Sequence, residues 1–98
     1  MVLKNVIAEM RTAGKPVVKR LQEGKDFHVL AIGLEKDVTL KEHITDIPAK
    51  LVVIKGKVIY KTASEEIPLE LFEEHTITVG ELHSVTAEED SVFLVIKG

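Results

Sequence analysis

The 98-residue chain is predicted to be all-β, a jelly-roll barrel or sandwich preceded by one short helix. Two observations lead to this prediction. About eight short β segments follow one another at regular spacing after Pro16, and turn-forming residues separate them. No stretch between them has the helical period that the crossover helices of a doubly wound α/β sheet need. The length also suits one domain, so residues 1–98 are expected to form a single domain with a limited core.

The helix is predicted over residues 3–13, where apolar side chains recur at i, i+3, i+4 and i+7. These side chains are Leu3, Val6, Ile7 and Met10. Gly14 suits the C-terminal cap, and Pro16 prevents the helix from continuing. We expect the helix to cover an open end or edge of a sheet, with a partner-binding helix as the alternative. Residues 1–15 are therefore assigned to the helix and its cap, and residues 16–98 to the barrel.

The β segments are indicated by alternation of apolar and polar residues, or by apolar runs bounded by turn residues. In chain order they cover residues 17–21, 27–34, 38–40 extending to His43, 50–60, 67–71, 76–79, 82–86 and 91–97. Gly56 is expected to make a hairpin turn inside the segment 50–60, with a positive φ or a bulge. Pro48 interrupts the chain before that segment because proline has no amide donor for a ladder.

The apolar runs 51–54 and 92–96 contain no polar residue, so both faces of those strands require cover. One short helix and one barrel interior provide too little cover for them. The sequence therefore predicts a homodimer that pairs sheets or exchanges an edge strand.

Composition argues against several classes of function. The net charge is −3, the basic residues form no long run, and the four aromatic rings are dispersed, so no nucleic-acid partner is expected. The absence of cysteine excludes disulfides, thiolate catalysis and cysteine-ligated zinc. No window approaches the roughly 18 apolar residues of a membrane helix, and the first residues lack a signal-peptide run. A cytoplasmic protein without a membrane partner is expected.

Two histidine motifs carry a resemblance to a known family. His43 and Gly56 match the first histidine and the closing glycine of the first cupin motif, and Gly80 and His83 match a glycine and the histidine of the second. Residues 17–97 thus resemble a small single-domain cupin of the quercetin-dioxygenase-like kind. The resemblance implies a cupin-type jelly-roll barrel, a fold that often carries a metal.

The sequence departs from the family pattern at the implied metal ligands. Thr45 takes the position of the second histidine, Ala49 that of the glutamate, and Ala87 that of the asparagine. Thr78 and Phe72 replace a proline and a glycine of the second motif. The resemblance therefore implies a degenerate metal site in which two of four ligand positions survive.

The resemblance places His43 and His83 inside the barrel on neighbouring strands. With water ligands, such a pair holds no metal or one weakly bound divalent ion, either Fe, Mn, Ni or Zn. Neither Glu42 nor Asp46 has the strand parity to supply a third ligand directly.

Three functions remain open for a cupin of unknown specific activity. The first is binding of a small ligand in a barrel pocket lined by His43, Thr45, Tyr60 and His83. The second is a metal-dependent enzyme, a dioxygenase or isomerase, using His43 and His83, and the same histidines also permit metal-free acid–base chemistry. The third is a barrel filled by its own side chains, for which Tyr60 is equally suited as a core residue. Two isolated histidines are expected at the surface or at strand edges, namely His28 and His75.

Overall fold

The computed structural model describes residues 1–98 and contains one helix and nine strands. The elements are α1 Val2–Ala13, β1 Val17–Glu23, β2 His28–Leu34, β3 Thr39–His43, β4 Ala49–Lys55, β5 Val58–Lys61, β6 Glu66–Leu69, β7 Glu74–Ile77, β8 His83–Ala87 and β9 Ser91–Lys97. The predicted all-β class with a short N-terminal helix is confirmed. The helix has 12 residues, and no helix in the structure has the length and apolarity that a membrane span requires.

The strands form two sheets with a shared core. One sheet has the order β1-β2-β9-β4-β7 and the other the order β3-β8-β5-β6, and every strand pair is antiparallel. Strand alternation directs one set of side chains between the sheets, as Phe93 and Val95 of β9 show. Their neighbours Val92 and Leu94 point to the opposite face, where α1 packs.

The helix α1 covers the outer face of the five-stranded sheet rather than an open end of the barrel. Val6 and Met10 are buried against Ala31 of β2 and Val92 of β9. The approach is so close that a Cβ atom on Gly33 would lie 2.7 Å from a methyl carbon of Val6. Gly14 ends the helix with φ 63°, which confirms the predicted left-handed cap.

The helix also weakens the sequence argument for a homodimer. Outward residues of the two apolar runs, among them Ile54 and Leu94, pack in the cluster under α1. The helix therefore gives much of the cover that the sequence argument assigned to a partner, although Ile96 stays exposed.

The prediction of a hairpin at Gly56 is wrong. The residue has φ 78°, as expected for a glycine turn, but β4 and β5 do not pair with each other. β4 lies in the five-stranded sheet and β5 in the four-stranded sheet. The turn carries the chain from one sheet to the other. β4 lies between β9 and β7, and β5 lies between β8 and β6, so neither strand has a free edge at which the other could pair.

Two further crossovers run side by side between the sheets. Residues 44–48 join β3 to β4, residues 78–82 join β7 to β8, and the Gly80 amide donates a hydrogen bond to the Thr45 carbonyl at 2.9 Å. Val79 lies in this crossover and is exposed, whereas the sequence placed it in a strand. We call the exposed aliphatic side chains of the two crossovers the crossover patch: Ile44, Ile47, Val79 and Leu82.

Candidate ligand-binding site

A bulge in β3 brings the first histidine into the barrel. Leu40 pairs with Val85 and His43 pairs with His83, so β3 advances three residues while β8 advances two. Because β3 has one extra residue at the bulge, Leu40 and His43 both line the interior although they are three residues apart. Glu42, inside the bulge, is exposed, as its position next to His43 predicted.

The two histidine rings lie against each other in the same tautomeric arrangement. Their centroids are 4.2 Å apart and their planes are tilted by 59°. His43 Nδ1 lies 2.7 Å from the Lys41 carbonyl oxygen, and His83 Nδ1 lies 3.0 Å from the Glu81 carbonyl oxygen. A carbonyl only accepts, so each Nδ1 carries a proton, and in the neutral form of each ring Nε2 keeps its lone pair. The structure therefore presents two Nε2 acceptors at this end of the barrel.

The two histidines differ in their environments. His83 is 2% exposed, whereas His43 is exposed at the barrel end. Burial lowers the pKa of His83, and the nearby charges of His43 and Lys97 lower it further, while the hydrogen bond to Glu81 and its carboxylate act in the opposite direction. The cause that dominates is desolvation, so His83 is held in its neutral form.

Tyr60 lies behind the histidines and not in the cavity wall. It is fully buried in the core, and its ring stacks on His83 with centroids 5.1 Å apart. The expectation that it lines the pocket is therefore replaced by the core alternative. Its hydroxyl has no hydrogen-bond partner, and burial, together with the charge of Glu81, raises the pKa of Tyr60 to about 12.

The remaining residues singled out from the sequence occupy different places. His75 lies on the edge strand β7, as predicted, but its half-buried ring packs on Tyr60 at 4.5 Å. His28 is half-buried at the start of β2. Thr45 is buried and lines the cavity, but its hydroxyl donates to the Ile47 carbonyl at 2.7 Å. Thr45 thus stabilises its crossover and has no free proton to donate to a ligand.

An inner cavity and an outer groove meet at the histidines. The cavity has a volume of about 40 Å³ and lies between the sheets. The groove, with a volume of about 500 Å³, lies at the surface between β1, β2 and β3. The residues that line both are Leu30, Ile32, Leu40, His43 and Lys97. The two spaces are therefore adjacent, with His43 and Lys97 as the polar groups at their junction.

Lys97 is a site residue that the sequence analysis missed. It lines the cavity and the groove, and its ammonium has no carboxylate within ion-pair distance. The sequence did contain a signal for an inward Lys97. Alternate residues of a strand point to the same face, and Lys97 alternates with the inward residues Phe93 and Val95 of β9.

Solved structures with a similar fold include several cupins. An RmlC-like cupin protein from Desulfovibrio desulfuricans aligns with a TM-score of 0.77 and 19% identity over 84% of this chain and 80% of that chain. A cupin-2 domain containing protein from Shewanella frigidimarina aligns with a TM-score of 0.73 and 20% identity over 83% and 78%. The chain has a cupin fold.

Another similar structure is an uncharacterized conserved protein with a double-stranded β-helix domain from Klebsiella pneumoniae. It aligns with a TM-score of 0.79 and 17% identity over 92% of this chain and 84% of that chain. No family model and no curated protein matches the sequence. At these identities the likeness shows the cupin fold and gives no specific activity.

The residues of this cupin barrel do not fit a metal site with three or four protein ligands. His43 and His83 supply two imidazoles, and no group of three histidine, cysteine, aspartate or glutamate side chains lies close enough to share an ion. Thr45 and Ala49 stand where the resemblance implied further ligands, and the Thr45 hydroxyl proton is committed to a backbone carbonyl. The donor set thus falls short of the ligand number usual for catalytic metals.

Proposed function

We propose that this cupin binds a small organic molecule in the groove, with one end of the ligand in the inner cavity. The cavity alone is too small for such a ligand, since its volume is about 40 Å³, whereas a cavity that holds a molecule as small as benzene measures roughly 150 Å³. The groove, at about 500 Å³, is within the usual range of roughly 300–1,000 Å³ for small-molecule sites. The five shared lining residues connect the two spaces into one elongated site.

The observation that carries the proposal is the state of His83. Its side chain is 2% exposed and lines the cavity, yet no protein atom hydrogen-bonds its Nε2. The fully enclosed side-chain atom without a hydrogen-bond partner is the Tyr60 hydroxyl, so the unpaired Nε2 of His83 still borders open space and can accept a hydrogen bond there. A ligand that donates to Nε2 supplies a hydrogen bond that no side chain of the barrel provides.

A fragment titration tests the proposal. Imidazole signals of His43 and His83 are followed by NMR while small polar and apolar fragments are added. We expect at least one fragment to shift both rings, and Val18→Trp to abolish the shifts because Val18 is a half-exposed groove residue.

Leu71→Trp is the matched control, since Leu71 is 49% exposed, close to the 48% of Val18, and lies outside the cavity, the groove and the crossover patch. Its fragment binding is expected to equal that of wild type. A library in which no fragment shifts either histidine, or binding that survives Val18→Trp, would contradict the proposal.

We also infer a homodimer, with the crossover patch as its contact surface. The patch places four exposed aliphatic side chains on two crossovers that a backbone hydrogen bond holds together. Such clusters on small proteins mark association surfaces more often than isolated apolar residues do.

Light scattering at micromolar concentration tests the homodimer. Leu82→Ser is expected to give a monomer, whereas Leu71→Ser, with 49% exposure against 51% for Leu82, is expected to leave the dimer intact. A wild-type monomer would disprove the inference. The cytoplasmic location stays a prediction, which cell fractionation tests.

A further inference from the structure

We propose that the ligand is a short aliphatic carboxylate that also carries a hydroxyl group, with the carboxylate on Lys97 and the hydroxyl donating to His83 Nε2. This assignment of a ligand class rests on the proposed function, because it places the ligand in the same groove and cavity. It follows from the charge, hydrogen-bonding capacity and size of the two spaces.

The charge at the junction favours an anion. Lys97 lines both spaces beside Leu30 and Ile32, and its ammonium forms no ion pair with any carboxylate of the chain. An ammonium beside apolar walls is stabilised by an opposite charge more strongly than a fully solvated one. The other charged groups nearby are Lys41 and Glu42 at the groove wall and Glu81 behind His83, so the groove wall adds no net negative charge.

The hydrogen-bonding capacity of the cavity requires a donor as well. His83 uses its Nδ1 proton on the Glu81 carbonyl, so the Nε2 that faces the cavity accepts. The Thr45 hydroxyl proton is already bound to the Ile47 carbonyl. A carboxylate only accepts and leaves Nε2 unpaired, whereas a hydroxyl near the carboxylate satisfies it.

Size limits the ligand to a short chain. The cavity of about 40 Å³ accepts a hydroxyl and one or two carbon atoms, since a cavity of roughly 150 Å³ holds one benzene molecule. The rest of the ligand lies in the groove, against the apolar residues Pro16, Val18 and Leu40. A branched or aromatic acid would remain outside the cavity and would not reach His83.

Three probes of matched size separate the two contacts. They are 2-hydroxybutanoate, butanoate and 2-butanol, titrated into wild type at neutral pH with the His83 ring signals as the readout. We expect 2-hydroxybutanoate to bind at least about tenfold more tightly than either of the others, because a site built for a hydrogen bond rejects the analogue that lacks it. Equal binding of butanoate would overturn the hydroxyl assignment, and equal binding of 2-butanol would overturn the carboxylate assignment.

Variants of the lysine test the carboxylate contact independently. Lys97→Met and Lys97→Gln are expected to reduce the affinity for 2-hydroxybutanoate to that for 2-butanol, with the fold checked by circular dichroism. Lys36→Met is the control, since Lys36 is exposed and lines neither cavity nor groove, and it is expected to bind like wild type. Unchanged affinity in both folded Lys97 variants would overturn the assignment.

The proposed function and the ligand class fail in different ways. If a broad fragment library gives ligands that shift His83 but none of them is a hydroxy acid, the ligand class is wrong and the proposed function stands. If no fragment of any class shifts His83, both are wrong.

Discussion

Gly56 and Ser91 lie so close together that only glycine fits the turn between the two sheets. A Cβ atom on Gly56 would lie 2.3 Å from Ser91 Oγ and 2.4 Å from the Asp90 carbonyl oxygen. Ser91 is fully buried, and its hydroxyl donates to the Glu89 carbonyl at 2.6 Å and accepts from the Lys57 amide at 2.9 Å. The Gly56 turn, Ser91 and residues 89–90 before it thus form one hydrogen-bonded unit.

Gly56→Ala is expected to lower the free energy of unfolding by about 2–4 kcal/mol, because the new methyl group overlaps the hydrogen-bonded unit and φ is 78°. Gly80→Ala is the matched control, since φ is 80° there but a Cβ atom would meet no atom within 4 Å beyond the adjoining residues. We expect it to cost only about 1 kcal/mol. Urea denaturation measures the stability of both variants. Equal losses of stability would show that the left-handed φ, and not the steric overlap at Gly56, accounts for the cost.

Tyr60→Phe is expected to leave the protein at least as stable as wild type, and up to about 1 kcal/mol more stable, because the buried hydroxyl has no partner. A loss of more than about 1 kcal/mol on denaturation would show that the hydroxyl is hydrogen-bonded in solution.

A second readout for Tyr60 is the stability at high pH. The pKa of about 12 lies above the usual value of 10.0, so the folded state favours the protonated phenol. This contribution is present below pH about 10 and is lost as the pH rises to about 12. Wild type is therefore expected to lose stability over this interval relative to Tyr60→Phe, as measured by urea midpoints.

His83 is expected to weaken the fold in acid. Burial lowers its pKa in the folded state, so the unfolded chain binds the proton more readily. Its contribution to stability is present above pH about 6.5 and declines as the pH falls below that value. The urea midpoint of wild type should fall between pH 7 and pH 5 by more than that of His83→Gln.

His28→Gln is the control for this measurement, because His28 lies at the start of β2 away from the cavity, and it should keep the wild-type acid dependence. In NMR titrations Lys97→Met should raise the pKa of His83, since the Lys97 charge lowers it. A pKa of His83 at or above the ordinary histidine value would contradict the buried, neutral ring.

Purified protein is expected to contain much less than one metal ion per chain, because two imidazoles are too few ligands for a catalytic ion. Elemental analysis of untagged protein prepared without chelator measures this. The double variant His43→Ala/His83→Ala should have the same metal content. Near one Fe, Mn, Ni or Zn per chain, lost in the double variant, would support the metal-dependent enzyme instead.

The sequence predicted the class and most strand positions because alternating burial and turn residues are local signals. The resemblance to cupins implied that His43 and His83 lie on neighbouring inward positions, and the structure pairs them across β3 and β8. The bulge in β3 was not predictable, because it depends on which residues of β8 the strand meets. The same holds for Gly56, whose φ is local but whose turn joins strands of different sheets.

Site residues far apart in the chain were harder to find. Lys97 is separated from His43 by more than half of the chain, and only its parity with Val95 indicates an inward side chain. The orphan hydroxyl of Tyr60 and its contact with His75 depend on packing between the two sheets. Such relationships arise from tertiary structure, and the spacing of residues along one segment does not contain them.

Strand β9 contributes side chains to both faces of its sheet. Val92 and Leu94 anchor the strand under α1, while Val95 and Lys97 line the cavity, and neighbouring strands hold β9 on both sides. Because both sets of side chains belong to one strand, we expect loosening of α1 to alter the position of Lys97 as well. A ligand in the cavity is therefore expected to slow amide exchange in α1.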